Sequence, residues 1–251
     1  MTRKALVVLS GGQDSTTCLF HAKRLFDEVH AITFNYGQRH AIEIESARIV
    51  GEMAGVASHR FVDIGPILES TSPLVSNNEL EQYKDFNSLP GGIEKTFVPM
   101  RNQLFLTLAF NRAVVIGASA IFTGVCEEDY GGYPDCRLHF IRALEDASNL
   151  GLGEGAGHIH IYTPLMSLTK AQTVALAASM LDCWEALKYT HTSYDGAYPP
   201  VGKDHATLLR AKGFAEANLP DPLVLRAWQE GLMELPETPN YDAERARVFL
   251  D

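Results

Sequence analysis

The sequence contains few cysteines, and no two of them stand close together. The four are Cys18, Cys126, Cys136 and Cys183, and they form no C-x-x-C pair. Such spacing argues against a disulfide framework and against a zinc knuckle built from neighbouring residues. We therefore expect a reduced, cytoplasmic protein whose thiols are mostly buried.

Basic residues are scarce relative to acidic ones. Lys and Arg number 21 against 31 Asp and Glu, which gives a formal net charge of -10. Proteins that bind nucleic acid by neutralising its phosphates need a basic surface. We expect no direct nucleic-acid binding, whereas a local basic pocket for a nucleotide is compatible with this charge.

Long apolar runs are also missing. The run Ala5–Leu9, which follows Met1–Lys4, is too short for the apolar core of a signal peptide. No other run approaches the length needed to cross a bilayer. The sequence thus predicts no membrane association.

What the sequence does contain is the alternation of strands and helices typical of an α/β domain. At 251 residues with 46% hydrophobic content, the chain can bury a substantial core. Apolar β-branched runs predict strands at residues 5–9, 29–34, 60–64, 120–125 and 158–162. Helical spacing predicts helices at residues 16–26, 41–54, 102–117, 134–150, 169–180 and 222–233. This order predicts a doubly wound, mainly parallel sheet.

Two segments interrupt that order. Residues 65–95 contain prolines, glycines and polar residues and predict a long loop that covers a site. The chain from Thr190 is also loop-rich until the last predicted helix. We predict a nucleotide-binding domain over residues 1–189 and a loop-rich C-terminal extension over residues 190–251.

The first predicted strand is followed directly by a glycine-containing loop. Its residues are Ser10, Gly11, Gly12, Gln13, Asp14 and Ser15. At such a junction, backbone N–H groups and the helix dipole together bind an anion, and glycines let the backbone approach it. The two serines can add hydroxyl donors, while Asp14 could cap the helix or orient a metal-bound phosphate.

This loop lacks the signatures of the commonest nucleotide-binding loops. The GxxxxGK[ST] lysine is missing and GxGxxG does not occur, which argues against a P-loop kinase and a Rossmann dehydrogenase. Taken alone, Ser10–Gly12 is equally compatible with an ordinary strand-to-helix turn.

The whole hexapeptide SGGQDS resembles the SGGxDS loop of the N-type ATP pyrophosphatases. That superfamily has an adenine nucleotide alpha hydrolase-like fold and splits ATP to adenylate a substrate and release pyrophosphate. Further blocks resemble the 7-cyano-7-deazaguanine synthase family and run, in its order, through about three quarters of the chain. These blocks are residues 34–40, 96–99 with Arg101 and Asn102, 124–129, 132–137, and 163–166 with Lys170.

The resemblance implies a reaction and its reactants. The family converts 7-carboxy-7-deazaguanine, ATP and ammonia into the nitrile used for queuosine and archaeosine. Adenylation makes a carboxylate electrophilic, so that ammonia can attack it, and the resulting amide can be activated again and dehydrated. The resemblance also implies Mg²⁺ as a cofactor and a homodimer as the oligomeric state.

The matched blocks assign roles to individual residues. Lys170, Arg101 and Asp14 are predicted to be catalytic, and Arg39 is predicted to bind ATP together with the residues of the loop at 10–15. Such cations would stabilise the departing pyrophosphate. Each basic residue could instead be an ordinary surface or salt-bridged side chain.

A second set of residues is predicted to bind the substrate. Asp135 could accept two parallel N–H bonds from a guanine-like edge, Tyr133 could wall the pocket, and Arg137 could meet the carboxylate as a fork. Asp129 follows a strand end, where ligands bind in open α/β sheets. The alternative for Asp135 is to cap the helix predicted to begin near Pro134.

The sequence departs from the family at two places. The family carries a C-terminal zinc site of four cysteines, whose positions correspond here to Ser193, Val201, Asp204 and Thr207. Thiolate coordination cannot be built from these residues, so we expect no structural zinc and predict that packing and hydrogen bonds hold the segment. Met100 stands where the family usually has glycine, which predicts a bulky side chain beside the site.

These departures leave three functions open. The first is the nitrile-forming synthase. The second is a diverged paralogue that transfers the activated acid to a protein amine instead of ammonia, since alignment with an acyl adenylate supplies much of the rate. The third is a non-catalytic nucleotide sensor.

Overall fold

A computed structural model of the chain describes residues 2–37, 42–65, 67–76, 78–89, 92–127, 132–153, 157–193 and 196–248. Their strands are β1 (Lys4–Val8), β2 (Glu28–Asn35), β3 (His59–Asp63), β4 (Ala120–Phe122) and β5 (His160–Tyr162). Their α-helices are α1 (Gln13–Leu25), α2 (Ile42–Ala54), α3 (Arg101–Ile116), α4 (Leu138–Gly151), α5 (Lys170–Ala178), α6 (Leu181–Ala186), α7 (His205–Glu216), α8 (Pro222–Gln229) and α9 (Asp242–Val248).

All strand pairings in the described sheet are parallel, and the strand order is β3-β2-β1-β4-β5. Ala5 of the central strand lies opposite Val29 of β2 and Ala120 of β4. From β1 the chain continues to the neighbouring strand β2 and then to β3 at the edge. It then returns to the other side of β1, where β4 and β5 follow. The predicted doubly wound α/β fold is therefore confirmed, with its topological switch point between β1 and β4.

Alternating side chains of the strands fill two cores, one on each face of the sheet. Val7 of β1 and Phe122 of β4 belong to the core that packs against α1, α2, α5 and α6. Leu6 and Ile121, each one residue earlier, belong to the core that packs against α3 and α4. Because successive strand residues point to opposite faces, a sheet covered on both sides needs apolar residues at every position.

The helices differ from the sequence prediction in the C-terminal part. The structure contains the predicted α8 and, in addition, α7 and α9, which the sequence pattern does not predict. α7 packs against α5 and brings Gly213 beside Lys170, where an added Cβ would lie 2.9 Å from the Lys170 Cβ. Glycine is unfavourable in a helix interior. Gly213 therefore permits this packing but weakens the helical pattern of the sequence, which is why α7 is not predicted.

Smaller differences concern boundaries and the long loop. The helix predicted from residue 134 begins at Leu138, after a 3-10 turn at Pro134–Cys136. The described part of residues 65–95 has a 3-10 turn at Phe86–Ser88 and no strand or α-helix.

All four cysteine side chains are buried. No helix in the described ranges combines the length and the apolar character needed to cross a bilayer.

Candidate active site

The loop at residues 10–15, here called the phosphate loop, is held together by its two serines. Ser15 Oγ accepts a hydrogen bond from Ser10 N at 3.1 Å and lies 3.0 Å from Ser10 Oγ. Gly12 is the N-cap of α1, and it has no side chain to cap the helix. The first N–H groups of an α-helix have no partner within the helix, so this terminus presents donors to an anion.

Gly11 lets the phosphate loop lie against α2. Its φ is +88°, and a Cβ at this position would lie 2.3 Å from Glu43 O and 2.7 Å from Ala47 N. A non-glycine residue would meet both left-handed backbone strain and a backbone clash. Gly11 O in turn accepts a hydrogen bond from His191 N at 2.9 Å, which brings the chain after α6 onto the loop.

An ion pair joins the phosphate loop to α5. Lys170 Nζ lies 2.6 Å from Asp14 Oδ2, and the two side chains are 10% and 26% exposed. Asp14 stands in the first turn of α1, and Lys170 is the first residue of α5. The fold thus places two predicted catalytic residues, which are distant in sequence, at one point beside the phosphate loop.

The phosphate loop lines a cavity of about 310 Å³. The cavity lies at the carboxyl ends of β1, β2 and β4, where open α/β sheets bind ligands. Of the predicted residues, the cavity is lined by Ser10, Gly12, Gln13, Asp14, Ser15, Arg101, Tyr133 and Lys170. This volume suits a small-molecule ligand.

Arg101 shares the cavity with an acidic residue that the sequence interpretation missed. Glu43, on α2, lines the cavity, and burial raises the pKa of its carboxyl to about 7, against the opposing effect of the Arg101 guanidinium. Arg101 Cζ also lies 5.9 Å from the centre of the Tyr36 ring. The cavity therefore contains a carboxyl group that changes its charge near neutral pH, beside a permanent cation.

Aromatic rings form an apolar part of the cavity wall. Phe34 and Phe105 stack with their ring centres 4.5 Å apart, and Tyr36 lies 5.3 Å from Phe105. Tyr133, also in the wall, lies with its hydroxyl 2.5 Å from Thr96 Oγ1 and packs against Phe97. Such a wall suits a planar aromatic ligand, because faces of rings pack well on one another.

Asp135 and Arg137 are not among the residues that line the cavity. Asp135 is buried, and its Oδ2 accepts a hydrogen bond from Asn102 N, at the start of α3, at 3.3 Å. The alternative that Asp135 caps the following helix is wrong, because Arg137 occupies that N-cap without a side-chain bond. Arg137 Nη1 donates to Glu127 O at 2.6 Å.

Two predicted residues, Arg39 and Asp129, lie outside the described residues. Met100 adopts φ 65°, ψ 3°, in the left-handed region. Its side chain is 56% exposed and does not line the cavity, so it does not crowd the site as predicted. Glycine, which the resemblance implies for this position, would enter this region without strain.

Three of the four positions that carry cysteine in the resembled family meet in a hydrogen-bonded cluster. Asp204 is buried and caps α7 by accepting from Thr207 N at 3.1 Å. Its Oδ2 accepts from Ser193 Oγ at 2.9 Å and from Thr207 Oγ1 at 2.8 Å. Val201, at the fourth position, is 62% exposed. The side chains of Ser193, Asp204 and Thr207 bond to one another, and none of the four positions supplies a thiolate. The four residues therefore do not fit a structural zinc ion.

A buried ion pair holds α7 in place beside this cluster. Arg210 donates from Nε and Nη2 to the two Asp221 oxygens at 2.6 and 2.8 Å, and from Nη1 to Thr190 and Thr192 hydroxyls. His191, Thr192, Ser193, His205 and Arg210 all line the cavity. The sequence interpretation did not assign these C-terminal residues to the site, because tertiary contacts bring them there: the bond from His191 N to Gly11 O for the segment after α6, and the packing of α7 on α5 for His205 and Arg210.

The chain also resembles known proteins over most of its length. The family model described as queuosine biosynthesis protein QueC matches residues 4–218. A 7-cyano-7-deazaguanine synthase of Gloeobacter violaceus is 53% identical over 223 residues, which cover 88% of this chain and 95% of that protein. A protein of the same name from Laribacter hongkongensis is 48% identical over 225 residues, 88% of this chain and 94% of that protein.

Solved structures show more distant similarity. An NH3-dependent NAD synthetase from Campylobacter jejuni is 16% identical, with a TM-score of 0.43, and the match covers 94% of this chain and 91% of that one. A 4-thiouridine synthetase in complex with RNA and ATP is 17% identical, with a TM-score of 0.48 over 82% of this chain and 45% of that one. On the family match and the two synthase relatives, the chain belongs to the QueC family of queuosine biosynthesis proteins.

Proposed function

We propose that the chain adenylates 7-carboxy-7-deazaguanine with ATP and converts it with ammonia into 7-cyano-7-deazaguanine. The observation that carries the proposal is the Asp14–Lys170 ion pair, which joins the phosphate loop to α5 inside one cavity. The chain's relatives are named for this product. The cavity offers anion donors, the cations of Arg101, Lys170 and Arg210, and aromatic rings, as an enzyme acting on ATP and a planar acid needs.

The phosphate end of the cavity fits ATP. Ser10, Ser15 and the first turn of α1 supply hydrogen-bond donors, and Gly12, which lines the cavity, has no side chain to obstruct the phosphates. Lys170 and Arg101 would stabilise the negative charge that develops as pyrophosphate departs. Mg²⁺, when bound, would neutralise phosphate charge, and Asp14, which lines the cavity, is the carboxylate that we propose would hold it.

The aromatic end of the cavity fits the deazaguanine ring. We place the ring against Phe105, Tyr36 and Tyr133, which line the cavity. Asp135, which lies one residue from cavity-lining Cys136, remains our proposed partner for the guanine-like edge, while its bond to Asn102 N positions α3. Arg137 and Asp129 remain predictions as substrate-binding residues, and Arg39 remains a prediction as an ATP-binding residue.

The reaction balances with two activation steps. In the first, a carboxylate oxygen attacks the α-phosphate, pyrophosphate leaves, and ammonia then displaces AMP to give the amide. In the second, the amide oxygen takes another AMP group, and loss of AMP with the remaining amide protons gives the nitrile. Each of the two carboxylate oxygens leaves as part of one AMP molecule. Since each AMP transfer releases one pyrophosphate, the proposal requires two pyrophosphates for each nitrile.

The test is a pyrophosphate assay with mass spectrometry of the products. Purified protein is incubated with MgATP, ¹⁵N-ammonium and 7-carboxy-7-deazaguanine, with guanine, which lacks the carboxylate, in a parallel reaction. We expect two pyrophosphates for each ¹⁵N-labelled nitrile with the acid and none with guanine. Absence of pyrophosphate release with the acid would overturn the proposal and favour a nucleotide sensor.

Transfer to a protein amine is the competing outcome, and the changes at Ser193, Val201, Asp204 and Thr207 favour it. Ser193 lines the cavity. Because hydrogen bonds hold this segment in place of zinc, the cavity wall that an incoming nucleophile would pass is altered. Pyrophosphate release without nitrile, together with an acyl adduct on an added peptide amine, would establish this outcome. Oligomeric state by light scattering would test the predicted homodimer separately.

A further inference from the structure

A cluster of three side chains of the types that bind metals lies at the opposite end of the sheet from the cavity. Glu145 of α4 and the two histidines His158 and His160 each offer one ligand atom, and these atoms all lie within 4.8 Å of one another. His160 is the first residue of β5 and pairs with Ala120, the first residue of β4. The cluster is therefore at the amino ends of the strands, whereas the cavity is at their carboxyl ends.

We propose that Glu145, His158 and His160 form a zinc site that fastens the edge strand β5 to α4. Glu145 Oε1 lies 3.3 Å from His158 Nε2 and 3.1 Å from His160 Nδ1. Ligands bound to tetrahedral zinc at about 2.0–2.1 Å are about 3.3 Å from one another. A carboxylate oxygen and two imidazole nitrogens are a ligand set that suits zinc.

The backbone around the histidines is fixed in the orientation that such a site needs. The rings of His158 and His160 lie with their centres 4.3 Å apart, so both side chains are on the same side, while Ile159 between them is buried in the core. Asn149 Oδ1 accepts from Ile159 N at 2.9 Å, and Asn149 Nδ2 donates to Ile159 O at 2.9 Å. The Asn149 side chain of α4 therefore holds this segment from one side through two hydrogen bonds.

A hydrogen bond from the backbone also orients the Glu145 carboxylate. Its Oε2 accepts from Ile161 N at 2.6 Å, while Oε1 faces the histidines. A metal-binding carboxylate is commonly held in this way by a backbone donor. The same bond covers the outer edge of β5, since Ile161 N would otherwise be available for pairing with another strand. The carboxylate is 18% exposed and the histidines are 49% and 56% exposed, so an ion can reach the site from solvent.

Three protein ligands leave one tetrahedral position for water. The site differs from the cysteine site of the resembled family in residues and in place, because none of its ligands is near Ser193 or Asp204 in sequence or lines the cavity. It also goes against our expectation from the sequence that the chain holds no zinc. The proposal does not depend on the proposed function, and its test does not require enzymatic activity.

The test is isothermal titration of the untagged, chelator-treated chain with zinc chloride. We expect one equivalent to bind with a dissociation constant below about 10 μM, and the melting temperature to rise with zinc. The variants Glu145→Gln, His158→Asn and His160→Asn should each weaken binding about tenfold or more. His139→Asn, which changes an exposed histidine of α4, is the matched control and should leave binding unchanged.

Cobalt substitution gives a second measurement, because the visible spectrum of bound Co²⁺ reports its coordination geometry. We expect a four-coordinate spectrum in the wild-type chain and its loss in His158→Asn. Absence of stoichiometric zinc binding in the wild-type chain would overturn the proposal. It would equally be overturned by zinc binding that persists in all three ligand variants, since the metal would then lie elsewhere.

Discussion

Lys170 and Asp14 are 156 residues apart in the chain, and their side chains form an ion pair with Nζ and Oδ2 2.6 Å apart. Asp14 belongs to the first turn of α1, where an anion is also favoured by the helix dipole. The pair therefore sets the position of the Lys170 ammonium relative to the phosphate loop. An ammonium held in this way needs no reorganisation when charge develops on a phosphate.

Replacement of Lys170 by alanine should abolish turnover and leave the fold intact. We expect kcat to fall about 100-fold or more, because the variant lacks the cation that we propose to act on the departing pyrophosphate. Lys188→Ala is the matched control, since Lys188 also pairs with a carboxylate, Glu185, away from the cavity. Pyrophosphate release measures both, and circular dichroism checks the fold. Undiminished turnover in Lys170→Ala would remove this residue from the proposed site.

Asp135→Asn should impair use of the deazaguanine acid more than use of ATP. An amide keeps an oxygen that can accept from Asn102 N, so the start of α3 should stay in place. It cannot accept two parallel N–H bonds as a carboxylate does, so we expect the KM for the acid to rise about tenfold or more. Equal changes in both KM values would indicate that Asp135 acts only through α3.

Gly11→Ala should destabilise the chain more than the same change at another glycine with positive φ. Gly11 has φ +88°, and a Cβ added to it would lie within 2.7 Å of backbone atoms of α2, whereas Gly117 has φ +67° and an added Cβ would meet nothing within 4 Å. Both variants meet left-handed strain of about 1–2 kcal/mol, and only Gly11→Ala adds a clash. Urea denaturation should show an additional loss of about 1–3 kcal/mol for Gly11→Ala. Equal losses would mean that the phosphate loop moves away from α2 without cost.

The sheet and most helices could be predicted from the sequence, because buried parallel strands are continuous apolar runs and helices on a sheet repeat their apolar residues. α7 could not, since Gly213 in its interior serves its packing against Lys170. The place of the phosphate loop between β1 and α1 could be predicted, because strand and helix patterns flank it in the sequence. Glu43 was missed because on α2 alone it is a polar surface position, and only the fold places it in the cavity with Arg101.

Asp204→Ala should destabilise the chain through the loss of three hydrogen bonds. It would remove the cap of α7 and the acceptor for the Ser193 and Thr207 hydroxyls. We expect a loss of about 2–3 kcal/mol in the free energy of unfolding. Asp85→Ala is the matched control, because Asp85 caps a three-residue 3-10 turn at an exposed position and should cost about 0.5–1 kcal/mol. If the two losses were equal, the cluster at the former cysteine positions would contribute nothing beyond a single cap.

Glu43 should make the chain less stable as the pH rises from 4.5 to 7. Burial raises the pKa of this carboxyl from 4.5 to about 7, so in this interval the unfolded chain releases a proton that the folded chain retains. Stability falls with pH wherever the folded state binds more protons, and the loss should reach about 2–3 kcal/mol by pH 8. Glu43→Gln removes the titrating group, so its stability relative to the wild-type chain should increase over this range.

Glu45→Gln is the matched control for this prediction, because it changes a glutamate of the same helix. A hydrogen bond from Arg48 lowers the pKa of Glu45, so ionisation of Glu45 favours the folded chain as the pH rises. This contribution is complete once the pH is above the ordinary value of 4.5, so Glu45→Gln should follow the pH profile of the wild-type chain over the interval in which Glu43→Gln departs from it. Urea denaturation at pH 4.5, 6 and 8 measures both. Parallel pH profiles for Glu43→Gln and the wild-type chain would show that Glu43 has the same pKa in the folded and the unfolded chain and would contradict its raised pKa.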